Sequence, residues 1–449
     1  MDGFRRCWTG LSLVTIFLVF AYYFAISNVC RLEKIIEDEC ERYRRGKAAG
    51  PLCETLCTRS ADLYCLTARP EKQVYRARVN GSDIVLKYQY VIQESIVEDE
   101  DIEAHHAVPE DFETTDSNNA TDVAIRHLRT VIGAKFDCDV TDILTSKLLA
   151  IVDENGDGRL SVAEATTAYR LAAYQYEFLV VVLLADEELS VPLRGHCGEI
   201  YSLDVVEISG KEIVGEISAL MDELKHFFLV LNWRSFVIQS WATLAQVLKM
   251  FRQYVQFRLV PVDWKERIDY GLGVLNLADR LAALSTTDRF YVCDMHDGNF
   301  GRDGAGRVRL LDADSFFSRS AVDDFYSQRP CQDDSDCELI VLDRDNCHGA
   351  CNRTRGTCSF ASTTTLLYAV CLHVLPRTFR AENTHEYCPA DLTLRTRLYD
   401  ALTWCMTDAL LEMNAVQYRE LTLHYRNLFA RLASDFLSSC PGIGASSTI

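Results

Sequence analysis

Three polar residues in the stretch Phe290–Phe317, FYVCDMHDGNFGRDGAGRVRLLDADSFF, have the types and spacing to act together. An apolar run, Phe290-Tyr291-Val292, leads to Asp294, and Asn299 follows at the spacing Asp-x-x-x-x-Asn. After a turn rich in Gly and Asp (301–306), a second apolar run, Val308 to Leu311, leads to Asp312. Strand, turn and strand would deliver two carboxylates and a carboxamide to one place. Phosphoryl transfer needs such a set: one carboxylate orients the attacking hydroxyl, while a carboxamide and a second carboxylate hold Mg²⁺ on the phosphates of ATP. The competing reading is a hairpin whose Asp, Asn and Gly serve only its turn, since turns favour those residues on their own account.

Other stretches could supply what this one lacks. Residues 73–90 hold two runs rich in β-branched and aromatic residues, VYRARV and IVLKYQY, separated by Asn80-Gly81, a strong hairpin signal. Lys87 lies late in the second run and faces away from Leu86 and Tyr88, either as a solvated strand lysine or as a phosphate ligand. Glu94–Ser117 is acidic and poor in apolar residues and reads as a solvated insert, taken here over 93–135; its His105 and His106 read as exposed loop residues. Next, TDILTSKLLAIV leads into DENGDGRLSVAE. Oxygen ligands fall at Asp153, Asn155, Asp157, the Arg159 carbonyl and Ser161, with Glu164 as the bidentate carboxylate and Gly158 at the sharp turn, the spacing of an EF-hand Ca²⁺ loop. The alternative is an acidic turn between helices. No second complete loop is evident; FDCDVTD at 136–142 is at best a remnant. The exit helix is expected to run on without a break through TTAYRLAAYQYEFLVVVLLAD, which puts Glu164 and Glu177 on one helix, with Glu177 buried among apolar neighbours and in need of a partner.

Composition sets the compartment. Net charge over the 449 residues is -19, which argues against nucleic acid as a partner. Trp8–Asn28 is uncharged and long enough to span a hydrocarbon core as a helix, and Arg5 and Arg6 precede it, which puts the N-terminus in the cytoplasm and the rest in the lumen. A cleaved signal peptide is the competing reading. Only Cys7 of the 18 Cys precedes this span, so the lumenal side carries an odd number in an oxidising compartment where disulfides persist. Residues 29–68 read as a Cys-rich neck, with helical spacing from Arg31 to Arg45. Cys331, Cys337, Cys347, Cys351 and Cys358 form a second cluster, for which disulfides are preferred to zinc. Asn80, Asn119 and Asn352 head glycosylation sequons. HFFLVLNWRSFVIQSWA within 216–257 is apolar, but its central Arg234 argues against a second span. Asp263 caps an amphipathic helix, WKERIDYGLGVLNLADRLAAL, and the rest to about Phe436 has helical periodicity.

The order of span, Cys-rich neck, strand Lys87, EF-hand, helix Glu177, Asp294–Asn299, Asp312 and Cys cluster closely resembles the divergent protein kinase-domain 1 family, Cys-rich type II membrane proteins of the endoplasmic reticulum. CDMHDGNF, LLDADSFF and the 331–358 cysteines carry the resemblance over nearly the whole chain. It implies an α+β, two-lobed protein-kinase-like fold with an EF-hand inserted in the N-lobe, preceded by one transmembrane helix. The divisions would be a tail (1–7), span (8–28), neck (29–68), N-lobe (69–210, with the hand at 141–175) and C-lobe (211–440). Lys87 would bind ATP phosphates, Glu177 would hold Lys87, Asp294 would be the base, and Asn299 and Asp312 would bind Mg²⁺; Asp314 offers a third carboxylate. The chain departs from ordinary kinases in His296, in having no Gly-rich phosphate loop before Lys87 and in having no Ala-Pro-Glu. Asp-x-His-x-Gly-Asn at 294–299 also resembles small-molecule kinases such as aminoglycoside phosphotransferases. The expected partners are the membrane and a secretory-pathway protein or glycan substrate, with the endoplasmic reticulum, or alternatively the Golgi, as location. The rival functions are an inactive pseudokinase serving as a Ca²⁺-binding scaffold and an EF-hand matrix protein without a kinase fold.

Overall fold

The computed structural model describes residues 32–58, 62–69, 72–79, 81–89, 108–116, 119–206, 264–284, 290–292, 299–314, 316–337, 349–360, 366–376, 392–409, 413 and 415–438. The span Trp8–Asn28, His105, His106, residues 216–257, Asp263, Asp294, His296 and Cys347 lie outside these. Among the described residues no single helix is long and apolar enough to cross a membrane. They fall into two compact units, one built on 32–89 and 195–202, the other on 108–194, 203–206 and 264–438.

The first unit is a five-stranded sheet with helices on one face. Helices α1 (Leu32–Arg44) and α2 (Cys53–Thr58) precede strands β1 (Asp62–Arg69), β2 (Lys72–Val79) and β3 (Ser82–Gln89). With β4 (Leu193–Cys197) and β5 (Ile200–Asp204) the order is β1-β2-β3-β5-β4. Val79 pairs with Ser82, so Asn80-Gly81 is the two-residue connection that its sequence predicts, and Gly81 takes φ +81°. Tyr75 and Ala77 alternate along β2, and Ile84, Leu86 and Tyr88 along β3, on the face that packs with Ile35 of α1 and Leu56 of α2. Segments expected to form a neck therefore belong to this core, and β1, also read as neck, is a strand of the sheet.

Covalent and ionic links fix these helices to the sheet. Cys40 bonds Cys57, and Cys53 bonds Cys197 of β4. The Arg42 guanidinium lies 2.7 Å from Glu39 Oε1 and 3.3 Å from Glu199 Oε1, and both carboxylates are buried. A buried carboxylate needs such a partner. A Cβ at position 198 would fall 1.8 Å from Glu39 Oε2, so Gly198 (φ +55°) is what lets this carboxylate reach the strand turn.

The second unit begins with five helices, α3 (Glu110–Thr114), α4 (Ala120–Gly133), α5 (Cys138–Val152), α6 (Val162–Tyr174) and α7 (Tyr176–Ala185). Helix α4 lies within the expected insert 93–135. It forms because Ala120, Val123, Ala124, Leu128 and Ile132 share one buried stripe, which packs on α6. Helix α7, apolar from Phe178 to Ala185, is buried at every position from Glu177 to Leu184. The continuous helix expected from 162 to 185 does not exist: α6 and α7 meet at 102°, broken at Gln175. The break is supported from outside the helix. Lys135 Nζ donates to the carbonyls of Ala172 (2.7 Å) and Ala173 (3.0 Å), which would otherwise accept the N–H groups of Tyr176 and Glu177. Burial pulls the Lys135 ammonium down to about 8, which leaves it mainly charged at neutral pH.

Beyond these lie α8 (Trp264–Ala282), β6 (Phe290–Val292), β7 (Phe300–Arg302), β8 (Val308–Leu310), β9 (Phe316–Ser318) and α9 (Arg319–Gln328). The hairpin β10 (Gly349–Asn352) and β11 (Thr357–Phe360) and helices α10 (Leu366–Ala369), α11 (Leu392–Ala409) and α12 (Ala415–Ser438) complete the unit. Helix α8 presses on β8 through Gly273, where a Cβ would lie 2.4 Å from Val308. It also packs on α12, through Asp279 and Arg426. Cys331–Cys351 and Cys337–Cys358 staple the second cysteine cluster, and Cys371–Cys405 ties the turn after α10 to α11. The disulfide of Cys351 leaves it no thiolate for zinc.

Replacing both Cys53 and Cys197 by Ser opens a link across 144 residues, and replacing Cys331 and Cys351 opens one across 20. The expected losses are about 5 kcal/mol for the first and about 3 kcal/mol for the second, read from denaturant midpoints. A smaller loss at Cys53–Cys197 would contradict a neck built into the core.

Candidate active site

The polar residues of Phe290–Phe317 are carried by two short antiparallel ladders. In the first, Phe300 pairs with Leu310, Gly301 with Arg309 and Arg302 with Val308. The Leu311 amide donates to the Asn299 carbonyl at 2.8 Å and extends this ladder by one step. Asn299, just before β7, and Asp312, just after Leu311, therefore leave the hairpin at the same end. Asn299 is buried, and Asp312 and Asp314 are half-buried. In the second ladder Phe290 pairs with Ser318, Tyr291 with Phe317 and Val292 with Phe316, and the rings of Phe290 and Phe316 stack at 4.8 Å. The strand that leads toward Asp294 thus runs beside the strand that follows Asp314.

The far end of the first hairpin is a closed turn. Asp303 Oδ1 accepts the amides of Ala305 (3.0 Å) and Arg307 (2.9 Å), and Oδ2 pairs with Arg309 Nη2 at 2.8 Å. Burial would raise the Asp303 carboxyl, but the Arg307 amide and the Arg309 and Arg307 guanidiniums outweigh it and hold it at about 2. Arg309 also donates to the Glu188 carbonyl and is itself buried. Asp303 is therefore spent on the turn and lies at the opposite end of the hairpin from Asn299 and Asp312.

Helix α7 grips the segment after Asp312. Glu177 is fully buried, and its Oε1 accepts the Ala313 amide at 3.3 Å. Its neighbour Tyr176 donates its hydroxyl to the Phe316 carbonyl. The Phe316 amide donates to the Ala313 carbonyl, so residues 313–316 form one tight turn, with Asp314 inside it and Asp312 immediately before it. Lys87, on β3 of the first unit, is buried rather than solvated.

The loop between α5 and α6 curls round its own oxygens. Asp153 accepts the amides of Gly156 and Gly158, each at 2.8 Å; Asn155 accepts from Asp157 (2.9 Å), and Asp157 accepts from Arg159 (2.7 Å). Glu164 folds back over the loop and takes the Glu154 amide at 3.0 Å and the Ser161 amide at 2.7 Å, while Ser161 caps α6 by accepting the Glu164 amide. Carboxylates, a carboxamide and a hydroxyl on one loop make a set of hard oxygen donors. The Leu160 amide donates to Thr121 Oγ1 of α4 at 2.9 Å. Sequence reading misses Thr121, Lys135 and Tyr176, since each acts on a residue distant in sequence; Tyr176 had one visible signal, its place beside Glu177.

A five-stranded sheet carrying a buried lysine, a buried helix glutamate tied to the segment after Asp312, and paired ladders bearing Asn299 and Asp312 define a protein-kinase-like fold. The family model described as the protein-kinase domain of FAM69 matches residues 168–408, and that described as the N-terminal cysteine-rich ER segment of FAM69 matches residues 3–145. The chain belongs to the FAM69 family, an endoplasmic reticulum-associated, cysteine-rich family with a kinase-like domain. The loop 153–161 lies between the two matched stretches.

Two outcomes follow. Glu177→Ala leaves the buried Ala313 amide without this acceptor and should cost about 1–3 kcal/mol of stability in denaturant unfolding. Asp303 sits below its ordinary 3.8, so its stabilisation is present above that value and is lost as pH falls toward about 2. Thermal unfolding from pH 5 down to pH 2 should therefore show a smaller acid-induced drop for Asp303→Asn than for the wild type.

Proposed function

We propose that the chain is a Ca²⁺-binding, kinase-fold phosphotransferase of the secretory pathway that moves the γ-phosphoryl group of ATP to a hydroxyl of a secretory protein or glycan. The observation that carries this reading is the exit of Asn299 and Asp312 at one end of a hairpin, with Glu177 tied to the residue after Asp312. Asp294 would accept the proton of the attacking hydroxyl. Asn299 and Asp312 are the donors for Mg²⁺, whose charge offsets that of the transferring phosphoryl group. Lys87 would hold the ATP phosphates, and Glu177 would orient Lys87 as well as the Ala313 amide. Trp8–Asn28 would anchor the chain as a single-pass type II membrane protein with the site in the lumen. Disulfides in both units fit an oxidising compartment.

Asp153, Asn155, Asp157, the Arg159 carbonyl, Ser161 and Glu164 would form an EF-hand for Ca²⁺ within the N-lobe sequence. The Leu160 amide, which a second hand would pair with, is taken by Thr121, and this suits a hand that works alone. Ca²⁺ on this loop would draw Glu164 inward and order α6, and through the bend at Gln175 would set α7 and Glu177.

A second reading is favoured by one feature. Arg69 pairs with Lys72, so only Pro70-Glu71 connects β1 to β2, where a kinase carries its Gly-rich loop. A pseudokinase that serves as a Ca²⁺-binding scaffold would need no such loop.

Full-length protein in microsomes or detergent, given γ-labelled ATP, should label itself or a lumenal extract, and Asp294→Ala should lower incorporation at least about 100-fold. Equal labelling by both would overturn the phosphotransfer reading. A thermal shift with Mg²⁺-ATP that is flat, and the same in Asp312→Ala, would support the scaffold instead. Nucleotide affinity should rise with Ca²⁺ in the wild type and not in Glu164→Gln; indifference to both changes would sink the coupling.

A further inference from the structure

Helix α7 starts with two residues that hold opposite ends of one turn. The Glu177 carboxylate takes the Ala313 amide, and the Tyr176 hydroxyl donates to the Phe316 carbonyl. Ala313 and Phe316 are joined by their own hydrogen bond, and Asp312 is the residue immediately before this turn. Rotation of the turn would swing the backbone that carries Asp312, so whatever fixes residues 313 and 316 also fixes the base from which that carboxylate projects.

Glu177 is the helix glutamate that any kinase-like reading singles out, but Tyr176 and its supports are not part of that pattern. Its ring lies between those of Phe136, at 5.8 Å and 3° between planes, and Phe317, at 5.4 Å and 23°. Lys135 Nζ stands 5.9 Å from the ring centroid while it donates to the carbonyls of Ala172 and Ala173. Burial pushes the Tyr176 hydroxyl well above its ordinary range, so it stays protonated and can only donate toward the carbonyl. Lys135 and Phe136 belong to the short connection between α4 and α5, α4 supplies Thr121 to the acidic loop, and α5 leads into that loop. Every contact in this chain lies within the second unit.

We propose that Tyr176 is a positioning residue for Asp312: with Glu177 it clasps the 313–316 turn, and Lys135 and Phe136 hold Tyr176 in place and relay the state of the acidic loop to it. The relay replaces the continuous helix that the sequence suggests between Glu164 and Glu177. The part of this inference that concerns Mg²⁺ at Asp312 rests on the phosphotransfer site proposed above; the clasp itself does not.

Tyr176→Phe keeps the ring between Phe136 and Phe317 and removes only the hydroxyl, so it separates the clasp from packing. Hydrogen exchange on the full-length protein without nucleotide should show the amides of residues 313–318 exchanging about tenfold faster in Tyr176→Phe, with other segments of the unit unchanged, and faster in Lys135→Met, where the bend at residues 172–177 exchanges faster as well. In the same proteins the Mg²⁺ concentration that gives half-maximal nucleotide binding should rise about tenfold, while affinity for metal-free nucleotide stays as in the wild type. Unchanged exchange in Tyr176→Phe overturns the clasp. Faster exchange with an unchanged Mg²⁺ half-point overturns the positioning of Asp312. A wild type that binds no nucleotide refutes the phosphotransfer reading and leaves the clasp judged by exchange alone.

Discussion

A single hydrogen bond, from the Ala313 amide to the buried Glu177 carboxylate, is the contact on which the site's arrangement depends. A buried carboxylate is costly unless it is paired, and a buried amide without an acceptor is costly too, so each group makes the other tolerable. The bond ties an otherwise apolar helix to the one turn that follows Asp312. Together with the Tyr176 hydroxyl on the Phe316 carbonyl, it sets the rotation at which the apolar residues of α7 pack. With it, Glu177 must face the hairpin, and the hairpin's polar end must face α7.

The rest of the second unit makes that contact possible. Helix α7 could not present Tyr176 and Glu177 to the turn if it continued α6 in a straight line. The bend at Gln175 is held by Lys135, which occupies the carbonyls that a continuous helix would use. The hairpin in turn is closed at its far end by Asp303 and Arg309, so its register cannot slip and Asn299 stays level with Leu311. In the first unit, the Cys53–Cys197 bond and the half-buried Arg42 on the buried Glu39 and Glu199 carboxylates give the strand bearing Lys87 a rigid sheet and a covered face.

What could be read from sequence was set by local chemistry. Asn80-Gly81 marked its hairpin because a two-residue turn needs those residues whatever surrounds it. The oxygens of Asp153 to Glu164 were visible for the same reason. The runs Phe290–Val292 and Val308–Leu311 were visible too, but not their partners: the first pairs with Phe316–Ser318 and the second with Phe300–Arg302, which overlaps the stretch read as a turn. Three features stayed hidden because their causes are distant. Residues 162–185 contain no Gly or Pro to mark a break, and the lysine that takes up the carbonyls at the bend lies 37 residues before the first of them. Ala120–Gly133 carries an apolar stripe but follows directly on an acidic stretch, and the two were read as one insert. Asp62–Arg69 carries a cysteine and sits among others, which made it look like neck, yet its partner strand makes it sheet. The family match fits this division, since local motifs carried the resemblance and tertiary contacts corrected its details.

The central claim is that the acidic loop and the Glu177 contact act on one site. A double-mutant cycle tests it most directly: nucleotide affinity at saturating Ca²⁺ and Mg²⁺ for wild type, Glu164→Gln, Glu177→Gln and the double variant. Action on one site should give a coupling energy of about 0.5–3 kcal/mol between the two positions, with the second change costing less once the first is made. Effects that add to within about 0.3–0.5 kcal/mol would contradict it.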